Sequence, residues 1–194
     1  MEYYKKVTMI HKIKSKVLKL NKSFVTSSED GYNFWNNHIK YVVNEAKRLA
    51  QKYGADLEIV ELGALLHDIA LISKVGTKSD HHTNGVIIAK EMLNKYKCPV
   101  DKTEKVLGCI LNHRSSKNAT NIEELCVADA DILAHFSKPI NIFMGGVISN
   151  DVSDKKEVIK LMEKDFNDLS EQTKSEFKVK YNKIMKKLFK DLWQ

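Results

Sequence analysis

Apolar side chains recur at helical spacing along most of this chain. Between residues 33 and 53, Trp35, Ile39, Val42, Ala46, Leu49 and Ala50 fall on one side of a helix, and Gly54 stops it. No segment alternates apolar and polar residues well enough to read as a strand. Turn formers are scarce too, with two Pro and eight Gly in 194 residues. Sandwiches and barrels need many such residues, so the scarcity favours helices. The expected class is all-α, folded as a single domain over residues 1–194.

Helix is expected to follow helix. Residues 3–20 read as an amphipathic helix and 23–32 as a polar loop. Asp56 is a good N-cap for an apolar helix running to about Ile69. Residues 72–82 form a polar loop, and Thr83 to Tyr96 a helix with Val86, Ile87, Ala89, Met92 and Leu93 inward. Asp101 is expected to cap a helix through Asn112, and 114–121 to form a loop. Asn121 then caps a helix to about Phe136. Pro139 and the Gly145-Gly146 pair interrupt the pattern over 137–153. From Asp154 to Trp193 one or two amphipathic helices form a C-terminal extension, residues 154–194.

The net charge of +7 comes from lysine, since Arg48 and Arg114 are the two arginines. Seven lysines lie in residues 1–22 and seven more in 174–190. Those ends lack the arginine and clustered aromatics that base readout or stacking favours, so nucleic acid is not the expected partner. Steering of an anionic small molecule fits the charge. Cys98, Cys109 and Cys126 match no zinc-knuckle spacing and lie beside apolar residues, which suits buried free thiols in a reducing compartment. No apolar run reaches the ~18 residues of a membrane span. The lysines near the N-terminus have no continuous apolar stretch behind them, unlike a secretory signal. A cytoplasmic location is expected.

The histidines carry the chemical signal. His67-Asp68 ends the apolar run LGALLHD, where both side chains need partners; a cap or ion pair explains them as well as a ligand does. His38 shares an i, i+4, i+8 stripe with Val42 and Ala46, so it faces or borders the core. Asp131 sits in VADADIL, in the middle of an apolar helix, where a carboxylate is costly unless paired or coordinated. His81 and His82 begin one helix, and His113 ends another. Helix ends are where side chains from separate elements converge. Two or three imidazoles with two carboxylates form a mixed donor set that suits Fe, Mn, Co, Ni or Zn better than Mg or Ca.

His38, then His67-Asp68 after GALL, then Asp131 within ADIL, resembles the H…HD…D signature of the HD superfamily. The resemblance covers residues 33–136, in order and on helices. It implies an HD-domain helical bundle with the additional C-terminal helices outside it. It also implies His38, His67, Asp68 and Asp131 as ligands of a first ion. Asp129 is the alternative to Asp131, should the register be VAD.

DHHTNGVIIAKEML and CILNHR look like the segments that add ligands in dinuclear members. His81 stands four residues before Gly85 and is preferred to His82, and His113 completes the set. This six-ligand pattern occurs in diadenosine tetraphosphate hydrolases and cyclic dinucleotide phosphodiesterases. It also occurs in mixed-valence diiron oxygenases. The chain lacks the GYP motif of one phosphodiesterase branch.

The resemblance implies a phosphohydrolase that attacks a phosphate ester or anhydride, a nucleotide being the expected substrate. The cofactor would be one or two divalent transition-metal ions, bridged by Asp68 when there are two, with a metal-activated hydroxide attacking phosphorus. His67 and Asp68 are its catalytic core, and Arg114, Lys74 and Lys78 are candidates to hold phosphate. The alternatives are a diiron oxygenase on the same six ligands, or a non-catalytic nucleotide-binding sensor.

Overall fold

The computed structural model describes residues 2–27, 32–136 and 155–192, whose regular elements are all helical, without strands. The interruption expected over 137–153 lies outside the described residues. No helix among them is long and apolar enough to cross a membrane.

Helix α1 (Glu2–Ser27) buries Met9, Ile13 and Val17, four residues apart, against the rest of the core. It runs past residue 22, so residues 23–27, expected in a loop, are helical; residues 28–31 lie outside the described residues. Thr26 and Ser27 hydroxyls donate to the carbonyls of Ser23 at 3.0 and 2.8 Å. These polar residues thus finish the helix rather than break it.

Asn21 ties the next segment down. Its Nδ2 donates to Asn33 Oδ1 at 3.0 Å, and its Oδ1 accepts from the Trp35 amide at 3.0 Å. A wide π turn, Trp35–Ile39, then leads into α2 (Lys40–Tyr53). Such a turn inserts an extra residue and re-aims the side chains on it, here His38. Helix α2 ends at Gly54, whose φ of 74° is the left-handed stop that glycine takes without strain.

Helix α3 (Leu57–Leu66) begins at Asp56, whose carboxylate accepts the Glu58 and Ile59 amides at 2.9 and 3.3 Å. It does not run on to Ile69. The chain turns at His67-Asp68, with Asp68 at φ −104°, ψ 20°, and resumes as the short α4 (Ile69–Ile72). Helix α5 (His81–Lys95) starts two residues before Thr83, with Asp80 at its N-cap position. Its inward face is Gly85, Ala89, Met92 and Leu93. Ile87 is 61% exposed, contrary to expectation. Gly85 sets that rotation, because a Cβ there would lie 3.2 Å from Ile110 Cγ2 on α6 (Val100–Asn112). Helix α6 starts after Pro99, not Asp101, which lies in the first turn and complements the helix dipole.

Helix α7 (Ile122–His135) is the buried centre, packed by α2, α3 and α6. Asn121 Oδ1 accepts the Glu124 amide at 3.0 Å, and Glu124 Oε1 accepts from Asn121 Nδ2 at 2.8 Å, a reciprocal cap. The C-terminal segment is two helices, α8 (Lys155–Asp168) and α9 (Glu171–Leu192). Cys98, Cys109 and Cys126 are buried free thiols.

Gly63 marks where α3 crosses α6 and α7. A Cβ there would meet Cys109 Cβ at 2.7 Å and Val127 Cγ2 at 3.2 Å. Gly63→Ala should therefore overpack the core and cost about 1–3 kcal/mol, a loss of several degrees in Tm. Unchanged thermal unfolding would show that the crossing has slack.

Candidate metal centre

Six side chains converge in the core, five from helix ends and turns and Asp131 from within α7. His38 comes from the π turn, His67 and Asp68 from the break after α3, and His81 from the start of α5. His113 is the C-cap of α6, and Asp131 sits on α7. All six are buried, with exposures from 0% for His67 to 9% for His38.

They fall into two groups that share Asp68. In the first, His38 Nε2 lies 3.0 Å from His67 Nε2, 3.5 Å from Asp68 Oδ2 and 3.0 Å from Asp131 Oδ1. His67 Nε2 is 3.4 Å from Asp68 Oδ2 and 3.6 Å from Asp131 Oδ1. In the second, His81 Nε2 and His113 Nε2 are 3.0 Å apart. They lie 3.4 and 3.9 Å from the other oxygen, Asp68 Oδ1.

Three of the rings are oriented by one local device. His67, His81 and His113 each place Nδ1 on the carbonyl of the residue three before, Ala64, Lys78 and Ile110, at 2.8, 2.7 and 2.7 Å. Donation from Nδ1–H leaves Nε2 as the free lone pair of the neutral ring. His81 and His113 therefore turn two lone pairs toward each other at 3.0 Å. That is repulsive unless a proton or metal ion lies between them. The buried Asp131 Oδ1 makes no aligned hydrogen bond among the described residues, although His38 approaches it. These groups fit a cation, and the arrangement offers sets of three ligand atoms within 4.8 Å of one another. Donors sharing one ion at about 2.1 Å lie about 3.0–3.5 Å apart, and these separations match except His67–Asp131 at 3.6 Å and His113–Asp68 at 3.9 Å.

The two groups differ electrostatically. Burial depresses the His67 imidazole, but the Asp68 and Asp131 carboxylates overcome it and raise it to about 9. Burial would raise Asp68, yet the surrounding imidazoles, His67 foremost, hold it below the ordinary carboxylate range. His113 is pushed down to about 4 by burial, so its Nε2 is a bare acceptor at neutral pH. An ion entering the first group must displace the His67 proton. Metal uptake should then release protons, and affinity should rise from pH 7 to about 9 by up to tenfold per unit for each proton displaced. Calorimetry in buffers of different ionisation enthalpy reads that release. Zero net release at pH 7 would contradict it.

Asp129 points away from this cluster. It accepts Ser116 Oγ at 2.6 Å, the Ser170 amide at 2.9 Å, Ser170 Oγ at 2.5 Å and Thr173 Oγ1 at 2.6 Å. Asp131, two residues on, is the carboxylate turned to the imidazoles. His82 stays outside the group and lines a cleft with Arg114. Lys74 is engaged elsewhere, donating to the Ser27 carbonyl at 2.9 Å and lying over the Phe24 ring. Lys78 is exposed; its carbonyl, not its ammonium, serves the site. Glu61 is paired with Lys47 at 3.0 Å.

The motif reading assigned no role to His135. It stacks on His38 at 5.4 Å, its Nε2 is 3.8 Å from Asp131 Oδ1, and its Nδ1 is held by Asp165 Oδ2 of α8 at 2.9 Å. Burial lowers this imidazole, but Asp165 raises it to about 9. The i, i+4 spacing from Asp131 was the available signal. Nothing local marks Asp165.

Comparison with known proteins agrees with this architecture. A likeness in fold extends to an HD-superfamily hydrolase from Bacillus thuringiensis, with a TM-score of 0.69 and 21% identity, over 96% of both chains. A predicted HD superfamily hydrolase from an uncultured Thermotogales bacterium matches with a TM-score of 0.64 and 18% identity, over 93% of this chain and 92% of that one. Ribonuclease Y of Oceanobacillus iheyensis is 36% identical over 88 residues, 44% of this chain and 15% of that protein. The chain spans less than a fifth of the ribonucleases Y that it matches. The HD domain model matches residues 36–135, from the π turn that carries His38 to the end of α7. The chain is a member of the HD domain family.

Proposed function

We propose that the chain is a metal-dependent phosphohydrolase that cleaves a phosphate ester or anhydride, with a nucleotide as the substrate class. The observation that carries this reading is Asp68, which presents one carboxylate oxygen to each pair of imidazoles. On this reading His38, His67, Asp68 and Asp131 hold one transition-metal ion, and His81, His113 and Asp68 hold a second. Bound there, the ions supply Lewis acidity toward a phosphoryl oxygen and lower the pKa of a water.

The chain's own residues do the rest. The carbonyls of Ala64, Lys78 and Ile110 fix three imidazoles before any ligand arrives, so no reorientation is needed. All six side chains are under a tenth exposed, which limits the bulk water that reaches them. His135 is the most open imidazole of the cluster, with 27% of its side chain exposed. Asp165 fixes its ring, so its Nε2 is placed to hold a proton on the solvent side of Asp131. Arg114 stands at the rim beside His113 as an anion contact.

The test is metal analysis with a substrate panel run in Mn, Fe, Co, Ni and Zn. The panel holds phosphomonoesters, nucleotides, dinucleotides and, because some relatives are ribonucleases, an oligoribonucleotide. About two ions per chain and metal-dependent phosphate or nucleotide release are expected, with one ion lost in His81→Ala or His113→Ala. A metal-free protein whose hydrolysis survives His67→Ala would overturn the reading. A mixed-valence iron resonance with oxygen uptake and no hydrolysis would replace it with the oxygenase on the same ligands.

A further inference from the structure

Outside the His81–His113 pair lies a cleft of about 380 Å³, lined by His82, Leu111, Asn112, Arg114, Ser115, Asn118 and Lys164. That is within the about 300–1,000 Å³ of small-molecule sites. Its wall holds cations, amides, a hydroxyl and one apolar side chain, and no carboxylate. Lys164 bonds Asp168 at 2.8 Å, but Lys117 bonds the same carboxylate at 2.8 Å, so this triad keeps one positive charge. His82 Nδ1 is buried and has no hydrogen-bond partner among the described residues.

The cleft is joined to the metal centre through the chain. His82 follows His81, their ring centroids 5.8 Å apart, and Arg114 follows His113. Arg114 also donates to the Ser79 carbonyl at 2.9 Å, one residue after the Lys78 carbonyl that holds His81. On the far wall, Lys164 precedes Asp165, which holds His135. The cleft thus borders the six-ligand cluster from outside without sharing a ligand with it.

We propose that this cleft is a second anion subsite, in which Arg114, Lys164 and His82 bind a phosphoryl group of the substrate other than the one that reacts. The inference rests on the phosphohydrolase reading and narrows it to substrates with at least two phosphoryl groups. Nucleoside polyphosphates, dinucleotides and oligonucleotides qualify, and simple monoesters do not gain from the subsite. Leu111, 43% exposed at the wall, offers an apolar surface to what the second phosphate carries.

The sequence provides its own reporter. Arg114 and Arg48 are the two arginines, and Arg48 is occupied on α2 with Glu45 at 2.8 Å. In zinc-loaded protein carrying ¹⁵N-arginine, the side-chain spectrum should show two Nε–H signals. On titration with inorganic phosphate at constant ionic strength, the Arg114 signal should shift to saturation while Arg48 stays still. Arg114 itself is left intact, since it supports His81. Lys164→Gln and His82→Gln, which spare the ligand cluster, should each raise the half-saturating phosphate concentration about threefold, and about tenfold together. Zinc content should be unchanged in both.

The proposal is overturned if the Arg114 signal does not move, moves together with Arg48, or saturates equally in the variants. A responsive Arg114 in a protein that hydrolyses nothing in the panel would support the subsite and sink the phosphohydrolase. A silent Arg114 in an active hydrolase would do the reverse.

Discussion

Asp68→Ala should empty both ion positions at once. Its Oδ2 lies 3.4–3.5 Å from His67 and His38, and its Oδ1 lies 3.4–3.9 Å from His81 and His113. No other carboxylate oxygen lies within 4.0 Å of the His81–His113 pair among the described residues, so that pair would lose its near carboxylate and keep only the more distant charge of Asp131. In the first group Asp131 remains, but the His67 imidazole loses its principal carboxylate partner. Removing a group that only orients a ligand costs about 10–100-fold in affinity or activity, and removal of this shared ligand should exceed that. The expected result is loss of nearly all bound metal and of hydrolysis, whereas His81→Ala should keep one ion. Metal analysis after gel filtration reads the difference. A variant at Asp68 that keeps the wild-type ion count would dismantle the two-position assignment.

Asp129→Ala is expected to be the most destabilising single change on α7. The carboxylate is fully buried and takes four hydrogen bonds, from Ser116, Thr173 and both the amide and hydroxyl of Ser170. Alanine would leave buried donors unsatisfied and detach the turn between α8 and α9 from the core. Hydrogen bonds to a charged group are worth about 1.5–3 kcal/mol each, and they do not add in full. A loss of about 3–5 kcal/mol is expected, or roughly 10 °C or more in Tm. Asp129→Asn keeps an acceptor of the same shape and should lose less. Thermal unfolding that moves by under about 1 kcal/mol in Asp129→Ala would show that the anchor carries little.

These two acids lie at very different depths of legibility in the sequence. The helical class, and the segments that bring His38, His67, Asp68, His81, His113 and Asp131 together, depend on local pattern. His67-Asp68 ends an apolar run, His113 ends a helix, and Asp131 has no business in the middle of VADADIL unless it is paired. What could not be read depends on neighbours distant in the chain. Asp129 looks as much a ligand as Asp131 until Ser170 and Thr173 are seen on it. Asp165 has no motif, and His135 acquires meaning only when α8 brings Asp165 to its Nδ1. The rotation of α5 was misjudged because Gly85 seats on Ile110 and turns Ile87 outward. The break after Leu66 was hidden because Ile69, Ala70 and Ile72 continue the apolar run and are buried themselves. Serine and threonine at residues 23–27 resemble a loop because their hydroxyls compete with the backbone; here the hydroxyls of Thr26 and Ser27 bond the Ser23 carbonyl within the helix.

The carbonyl three residues before each of His67, His81 and His113 has a further consequence. Each ring is aimed by its own tetrapeptide, so orientation does not depend on the loops that would meet a substrate. Such a centre is modular. The segments at 72–77 and 115–119 can change length or composition while the imidazoles keep their bearings, provided Lys78 and Ile110 keep their backbone positions. Divergence in what is bound then need not be accompanied by retuning of what binds the ion. A swap of residues 115–119 for another loop of equal length, leaving Ser116 and the Thr120-Asn121 cap of α7 in place, should alter substrate preference before it alters metal affinity.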